Sequence, residues 1–162
     1  QPCATVEELA QVRTRVKYMG IPIAADESVR KAEDPLAVAR AGAADLLVLK
    51  AQPLGGITAA LALAAEAGLP VVVSSALDTS VGISMGLYLA AALPELEYDC
   101  GLGTAALLAG DITDAPLIPV DGSIAVRRVV PTSALLDEHA ATSERTAWWM
   151  ARLERCYNLL VE

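Results

Sequence analysis

Ile21-Pro22-Ile23-Ala24-Ala25-Asp26 opens a stretch that continues through Leu46-Leu47-Val48-Leu49-Lys50 to Leu69-Pro70-Val71-Val72-Val73-Ser74. Each piece is a short apolar run ending on a polar residue, and the tips Asp26, Lys50 and Ser74 stand 24 residues apart. Helical segments with turn signals at both ends lie between the runs. Asp34-Pro35 starts one that ends at Gly42, and Gly55-Gly56 leads into an Ala/Leu-rich one closed by Gly68. A helix between consecutive strands returns the chain to the same end of the sheet, so the strands pair in parallel. The runs are apolar without alternation, which predicts burial on both faces. A doubly wound open sheet shares these features. Polar residues at successive strand ends favour a barrel, whose chemistry gathers at that rim. The fold predicted is α/β, with enough units for half of an eight-strand (β/α) TIM-type barrel.

Outward from this core, Thr5 to Met19 is predicted helical behind the capping box Thr5-x-x-Glu8. Ser80 to about Leu93 is a further helix, closed by Pro94, and Tyr98 to Gly101 is a last short strand. A small helix is expected from Thr104 to Ala109, and an irregular segment from Pro116 to Val130 with a turn at Asp121-Gly122. A final helix from Ser143 to Leu159 carries Trp149, Leu153, Cys156 and Leu160 at packing spacing. Residues 1–110 therefore read as barrel units. Residues 111–162 read as an irregular segment plus a helix that packs back on the barrel or on a cap. Because the chain opens on Gln1-Pro2-Cys3 and enters a helix at once, further segments are expected upstream. A lone half-barrel would leave two open sheet edges.

The composition narrows the partners. The formal charge is −8, with 54% apolar and 20% charged residues, and Lys and Arg form no stripe. That excludes a polyanion surface, so no nucleic-acid partner is expected. Apolar runs are broken before 18 residues, so no membrane span is expected. Cys3, Cys100 and Cys156 share no metal-like spacing and read as inert thiols in a reducing, cytoplasmic setting.

Four positions can carry chemistry. Asp26 and Glu27 are adjacent acids at a strand tip, and only one of two successive strand residues can face a barrel interior. They read equally as solvated loop acids or, for one of them, as a carboxylate ligand for a hard divalent cation such as Mg²⁺. Lys50 leaves a buried run, so its ammonium must be paired or hydrated. It reads as half of a structural salt bridge, as a general base or cationic stabiliser, or as a Schiff-base nucleophile. Ser74 can donate to an anionic substrate, although serine is common at strand ends. His139, the only histidine, reads as a surface or capping residue near a helix start. Trp148-Trp149 reads as packing, and Gly55-Gly56 lacks the lysine of a phosphate-binding loop.

Taken in order, Gln1-Pro2, Ala25-Asp26-Glu27-Ser28, Val48-Leu49-Lys50, Pro53-Leu54-Gly55-Gly56, the run from Ser74 to Gly82, and Cys100-Gly101-Leu102-Gly103-Thr104 resemble the enolase superfamily on its muconate cycloisomerase side. Within it they are most similar to the o-succinylbenzoate synthase family of actinobacterial type. The resemblance implies the C-terminal half of the barrel, with Asp26 as a metal-ligand carboxylate and Glu27 as its neighbour. It implies Lys50 as the sixth-strand lysine that stabilises an enediolate, and Ser74 with the backbone of Gly101 as holders of the substrate's succinyl carboxylate. It also implies Mg²⁺ as cofactor, a small carboxylate substrate (SHCHC), and syn dehydration to o-succinylbenzoate in menaquinone synthesis. The other carboxylate ligands, the general base and a capping domain would lie upstream, leaving these 162 residues inactive alone. Racemases of N-acyl amino acids share the same fragment. A Schiff-base aldolase barrel and a non-catalytic barrel module are readings of other classes.

Overall fold

Short runs of β-branched and aliphatic residues form a parallel ladder in the computed structural model, which describes residues 1–30 and 34–161. Strands β1 (Ala24–Ala25), β2 (Leu46–Leu49) and β3 (Val71–Val73) lie side by side in sequence order. Ala25 stands opposite Leu47, and Leu47 and Leu49 stand opposite Val71 and Val73. The ladder takes one more step at a parallel bridge between Ser74 and Gly101. There the Ser75 N–H donates to the Gly101 carbonyl at 3.0 Å, and the Gly101 N–H donates to the Val73 carbonyl at 2.9 Å. The strand expected over Tyr98 to Gly101 thus contracts to a single rung, having a neighbour on one side only among the described residues. Sequential order without a reversal is the arrangement of a barrel sector, whereas a doubly wound sheet switches direction.

Helices α1 (Val6–Val16), α2 (Glu27–Arg30), α3 (Ala37–Arg40), α4 (Ile57–Ala67) and α5 (Ser80–Ala92) alternate with the strands. Thr5 caps α1 as expected, its hydroxyl accepting from the Glu8 N–H while Glu8 accepts from the Thr5 N–H. Gly68 ends α4 with φ +62°, a left-handed conformation that costs glycine little. Helix α3 starts later than expected. Asp34 accepts from the Leu36 N–H, so Asp34-Pro35 closes a turn and the helix begins at Ala37.

The core joins one sheet face to these helices. Ala25, Leu47, Leu49, Val71 and Val73 are buried together with Leu9, Val29, Val38, Ala60, Ile83 and Leu89. The other face behaves differently: Ala24, Val48 and Val72 are half-buried. Burial on both faces, read from the unbroken apolar runs, is met on the helix side and only partly on the inner side. In a closed barrel the opposite wall fills that inner side, and among the described residues no such wall is present.

Beyond the ladder, the segment from Thr104 to Leu107 is a 3-10 turn, shorter than the helix expected there. Val120 and Ser123 pair across Asp121 and Gly122, both at positive φ, as the turn signal requires. The sequence reading did not include helix α6 (Ser133–Glu138); His139 is exposed and caps its end, four residues before the next helix begins at Ser143, in keeping with a surface or capping role. Helix α7 (Ser143–Val161) forms where expected, yet it buries no residue. Trp149 is 50% exposed, Leu153 63% and Leu160 84%. Helical spacing sets which residues share a face; contact with that face depends on what lies opposite.

Candidate active site

Side chains alternate across a strand, so register decides which tips can meet. Ala25 lies level with Leu47, which puts Asp26 level with Val48 on the inner face. Lys50 stands two residues beyond Val48 and shares that face. Ser74 follows Val73, which is level with Leu49, so Ser74 lies level with Lys50 and bridges to Gly101. Asp26, Lys50, Ser74 and Gly101 therefore gather at the strand ends of one face.

The contact between the first two is direct. Lys50 Nζ lies 2.9 Å from Asp26 Oδ1 and 2.8 Å from Oδ2. Their side chains are 11% and 21% exposed, so the pair is largely but not wholly withdrawn from water. A second cation joins it: Arg30 Nε donates to Asp26 Oδ1 at 3.1 Å, and Arg30 Nη2 to Glu27 Oε1 at 3.1 Å. Hydrogen bonding from the backbone N–H at the start of α2, with Arg30 adding, holds the Glu27 carboxyl below its usual range. Two acids and two cations thus balance at the tip. Glu27 is turned to Arg30 and solvent, which leaves Asp26 as the carboxylate at Lys50.

Ser74 Oγ faces Gly101, 3.3 Å from its carbonyl. Both backbone polar groups of Gly101 are engaged in the ladder, so Gly101 presents no free donor. Its contribution is room: a Cβ there would stand 2.8 Å from Ser74 Oγ. Behind them Thr104 Oγ1 donates to the Ala76 carbonyl at 2.8 Å and lies 2.8 Å from the Ser75 hydroxyl, fastening the two loops together.

Three contributors were not singled out in the sequence. Arg30 was readable in principle, being four residues from Asp26 on one helical turn. Thr104 was quoted only as part of a motif. Gln1 was likewise quoted without a role, and its side chain reaches Asp26 and Ser28 across 25 and 27 residues of sequence.

Asp26 offers hard carboxylate oxygens, the donor chemistry of Mg²⁺, at a rim beside a largely buried ammonium. Among the described residues no three His, Cys, Asp or Glu side chains come together around one point. The chain thus fits such an ion as the source of one ligand, not of a complete shell.

This arrangement defines a class of protein before it defines a reaction. The family model "Enolase C-terminal domain-like" matches residues 1–133, and the chain belongs to that family. Its more specific likeness is to o-succinylbenzoate synthases, which bears out the resemblance drawn from the motifs. The protein of that name from Mycobacterium marinum is 57% identical over 160 residues, and that from Mycobacterium tuberculosis is 58% identical over 161. Each match covers 99% of this chain and 48% of the relative, so the chain spans about half the length of the curated relatives it matches. Among solved structures, 2-chloromuconate cycloisomerase from Rhodococcus opacus matches with a TM-score of 0.73 and 26% identity. That match covers 87% of this chain and 40% of that one. Muconate lactonizing enzyme from Pseudomonas putida matches with a TM-score of 0.72 and 25% identity, covering 83% and 39%. The fold is the C-terminal part of an enolase-superfamily barrel. Among the described residues no helix is long and apolar enough to cross a membrane.

Proposed function

We propose that this chain is the Lys50-bearing and Asp26-bearing half of an Mg²⁺-dependent o-succinylbenzoate synthase, which dehydrates SHCHC in the cytoplasm as a step of menaquinone synthesis. The observation that carries the reading is the two-point contact of Lys50 with Asp26 on the inner face of a parallel sheet. Its weight comes from the family to which the chain belongs and from relatives carrying that name. The three free cysteines agree with a reducing compartment.

Removing a proton α to a carboxylate creates an enediolate dianion, which water alone stabilises poorly. A bound divalent cation, held partly by Asp26, would neutralise the carboxylate oxygens of that species. Lys50 supplies a fixed positive charge on the other side, already aimed into the site and weakly screened because it is 11% exposed. Its Nζ donates to both oxygens of Asp26, an engagement that suits a cationic stabiliser better than a free amine nucleophile. The Ser74 hydroxyl donates to the substrate's distal carboxylate, and Gly101 leaves room for it. The departing hydroxyl leaves with a proton as water, and a syn course lets one proton carrier on that face serve both steps. That carrier and the remaining ligands belong to the segments expected upstream.

The test uses the full-length protein that contains this chain, assayed on SHCHC and on N-succinyl amino acids. EDTA should abolish dehydration and Mg²⁺ restore it. Lys50→Ala should lower kcat by about 10²–10³-fold or more with the fold intact. A substrate adduct trapped on Lys50 by borohydride, together with activity that survives chelation, would replace this reading with an aldolase.

A further inference from the structure

Gln1 makes four hydrogen bonds with one side-chain amide. Its Oε1 accepts from the Asp26 N–H at 3.3 Å and from the Ser28 N–H at 3.0 Å. Its Nε2 donates to Ser28 Oγ at 2.8 Å and to the Cys3 carbonyl at 2.7 Å. These bonds bracket the proposed ligand carboxylate. They also fall where the backbone most needs support, because β1 has a single strand neighbour among the described residues and α2 is only four residues long. A helix of one turn cannot stabilise itself, and an unpaired N–H at a half-buried tip is costly.

We propose that Gln1 is a positioning residue for Asp26. Its Oε1 takes the place of a ladder carbonyl at the open edge and sets the height and direction of the Asp26 tip. Lys50 and Arg30 then fix the carboxylate from the side-chain end. The same amide, through Cys3, ties the start of this chain to that tip, so any strand leading into Gln1 is registered against the site. Ligand geometry tolerates only about 0.2 Å of error, so loss of the clamp acts on ion affinity before it acts on the fold. The inference rests on the reading of Asp26 as a metal ligand.

The test is calorimetric titration of Mg²⁺, without substrate, into the full-length protein and its Gln1→Leu, Gln1→Glu and Asp26→Asn variants. Leucine keeps the bulk and removes every hydrogen bond, whereas glutamate keeps an acceptor for both backbone N–H groups. Gln1→Leu should raise the Mg²⁺ Kd about tenfold, the lower range for groups that orient a ligand, and Gln1→Glu should recover most of that loss. Amide hydrogen exchange of the metal-free protein should quicken in Gln1→Leu at residues 26–30 and stay unchanged in β2 and β3. An unchanged Kd, absence of recovery by Gln1→Glu, or exchange that quickens throughout the barrel would each overturn the proposal. Asp26→Asn separates the two readings. If that variant binds Mg²⁺ as the parent does, the metal assignment itself is wrong; if it loses binding while Gln1→Leu keeps it, only the role of Gln1 falls.

Discussion

At the scale of single residues, charge pairs divide into those gathered at the candidate site and those that hold elements together. Arg13 and Asp45 are of the second kind. The guanidinium donates from both Nε and Nη2 to Asp45 Oδ1, and Asp45 Oδ2 accepts from the Ile23 N–H, which joins α1 to the entries of β1 and β2. The Arg13 hydrogen bond, followed by that from Ile23, holds the Asp45 carboxyl below its ordinary value of 3.8. A depressed carboxylate stabilises the folded state above its unfolded pKa, and that contribution disappears as pH falls through the folded value. Melting temperature should therefore decline as acid passes below 3.8, and Asp45→Asn should flatten that part of the curve while lowering stability at neutral pH. Gly101→Ala belongs to the same scale. The added methyl would meet Ser74 Oγ at 2.8 Å, so the variant should raise KM for SHCHC in the full-length protein by about tenfold, the order of 1–2 kcal/mol of lost binding.

Between elements, a cluster of hydrogen bonds joins α5 to residues 111–117. Ser80 is fully buried at the start of α5. Its hydroxyl donates to Asp111 Oδ2 and accepts from the Leu117 N–H, while its own N–H donates to the Asp111 carboxylate. One serine and one aspartate thus satisfy a helix start and a crossing loop together. Ser80→Ala should leave the Leu117 N–H without its partner, at a cost of about 1–3 kcal/mol, read as a lower denaturation midpoint with an unchanged slope. None of this was legible beforehand. The sequence marks Ser80 as a helix start, where α5 begins, but a partner 31 residues away carries no local signal. The helices and strands themselves were legible because turn residues and apolar runs act locally, as the Thr5 capping box and the limits of α4 illustrate.

Viewed whole, the molecule leaves apolar surface open on the inner face of its sheet and along α7. The inner face of the sheet is half-exposed at Val48 and Val72, and α7 presents Trp148, Trp149, Met150, Leu153, Tyr157 and Leu160 to solvent. Arg145 lies 4.4 Å from the Trp148 ring and 5.4 Å from that of Trp149, and Arg152 lies 5.7 Å from each, which shields the two indoles only in part. Exposed apolar area of this kind marks an interface. We propose that α7 packs against the remainder of the full-length enzyme, so tryptophan emission should be red-shifted in the 162-residue chain relative to the full-length protein. On the proposed function, the same chain should bind Mg²⁺ only weakly and show no dehydration of SHCHC, since among the described residues no three candidate ligand side chains come together. Tight binding or turnover by this chain would contradict the half-site reading.

The amino-acid sequence by itself determined the alternation of strand and helix, the parallel sense of the sheet and the family, because these depend on local periodicity and short motifs. It also marked Asp26, Lys50 and Ser74 as a set, since their 24-residue spacing repeats one structural unit, whereas Gly101 entered only through the resemblance of its motif. Only the tertiary structure decided that Lys50 holds both oxygens of Asp26, that Arg30 and Gln1 brace the same tip, and that the Gly101 N–H is already taken by the ladder. Those facts depend on strand register and on the distance between residues far apart in the chain. No propensity encodes either quantity, because each is set by how the assembled core fixes one strand against the next.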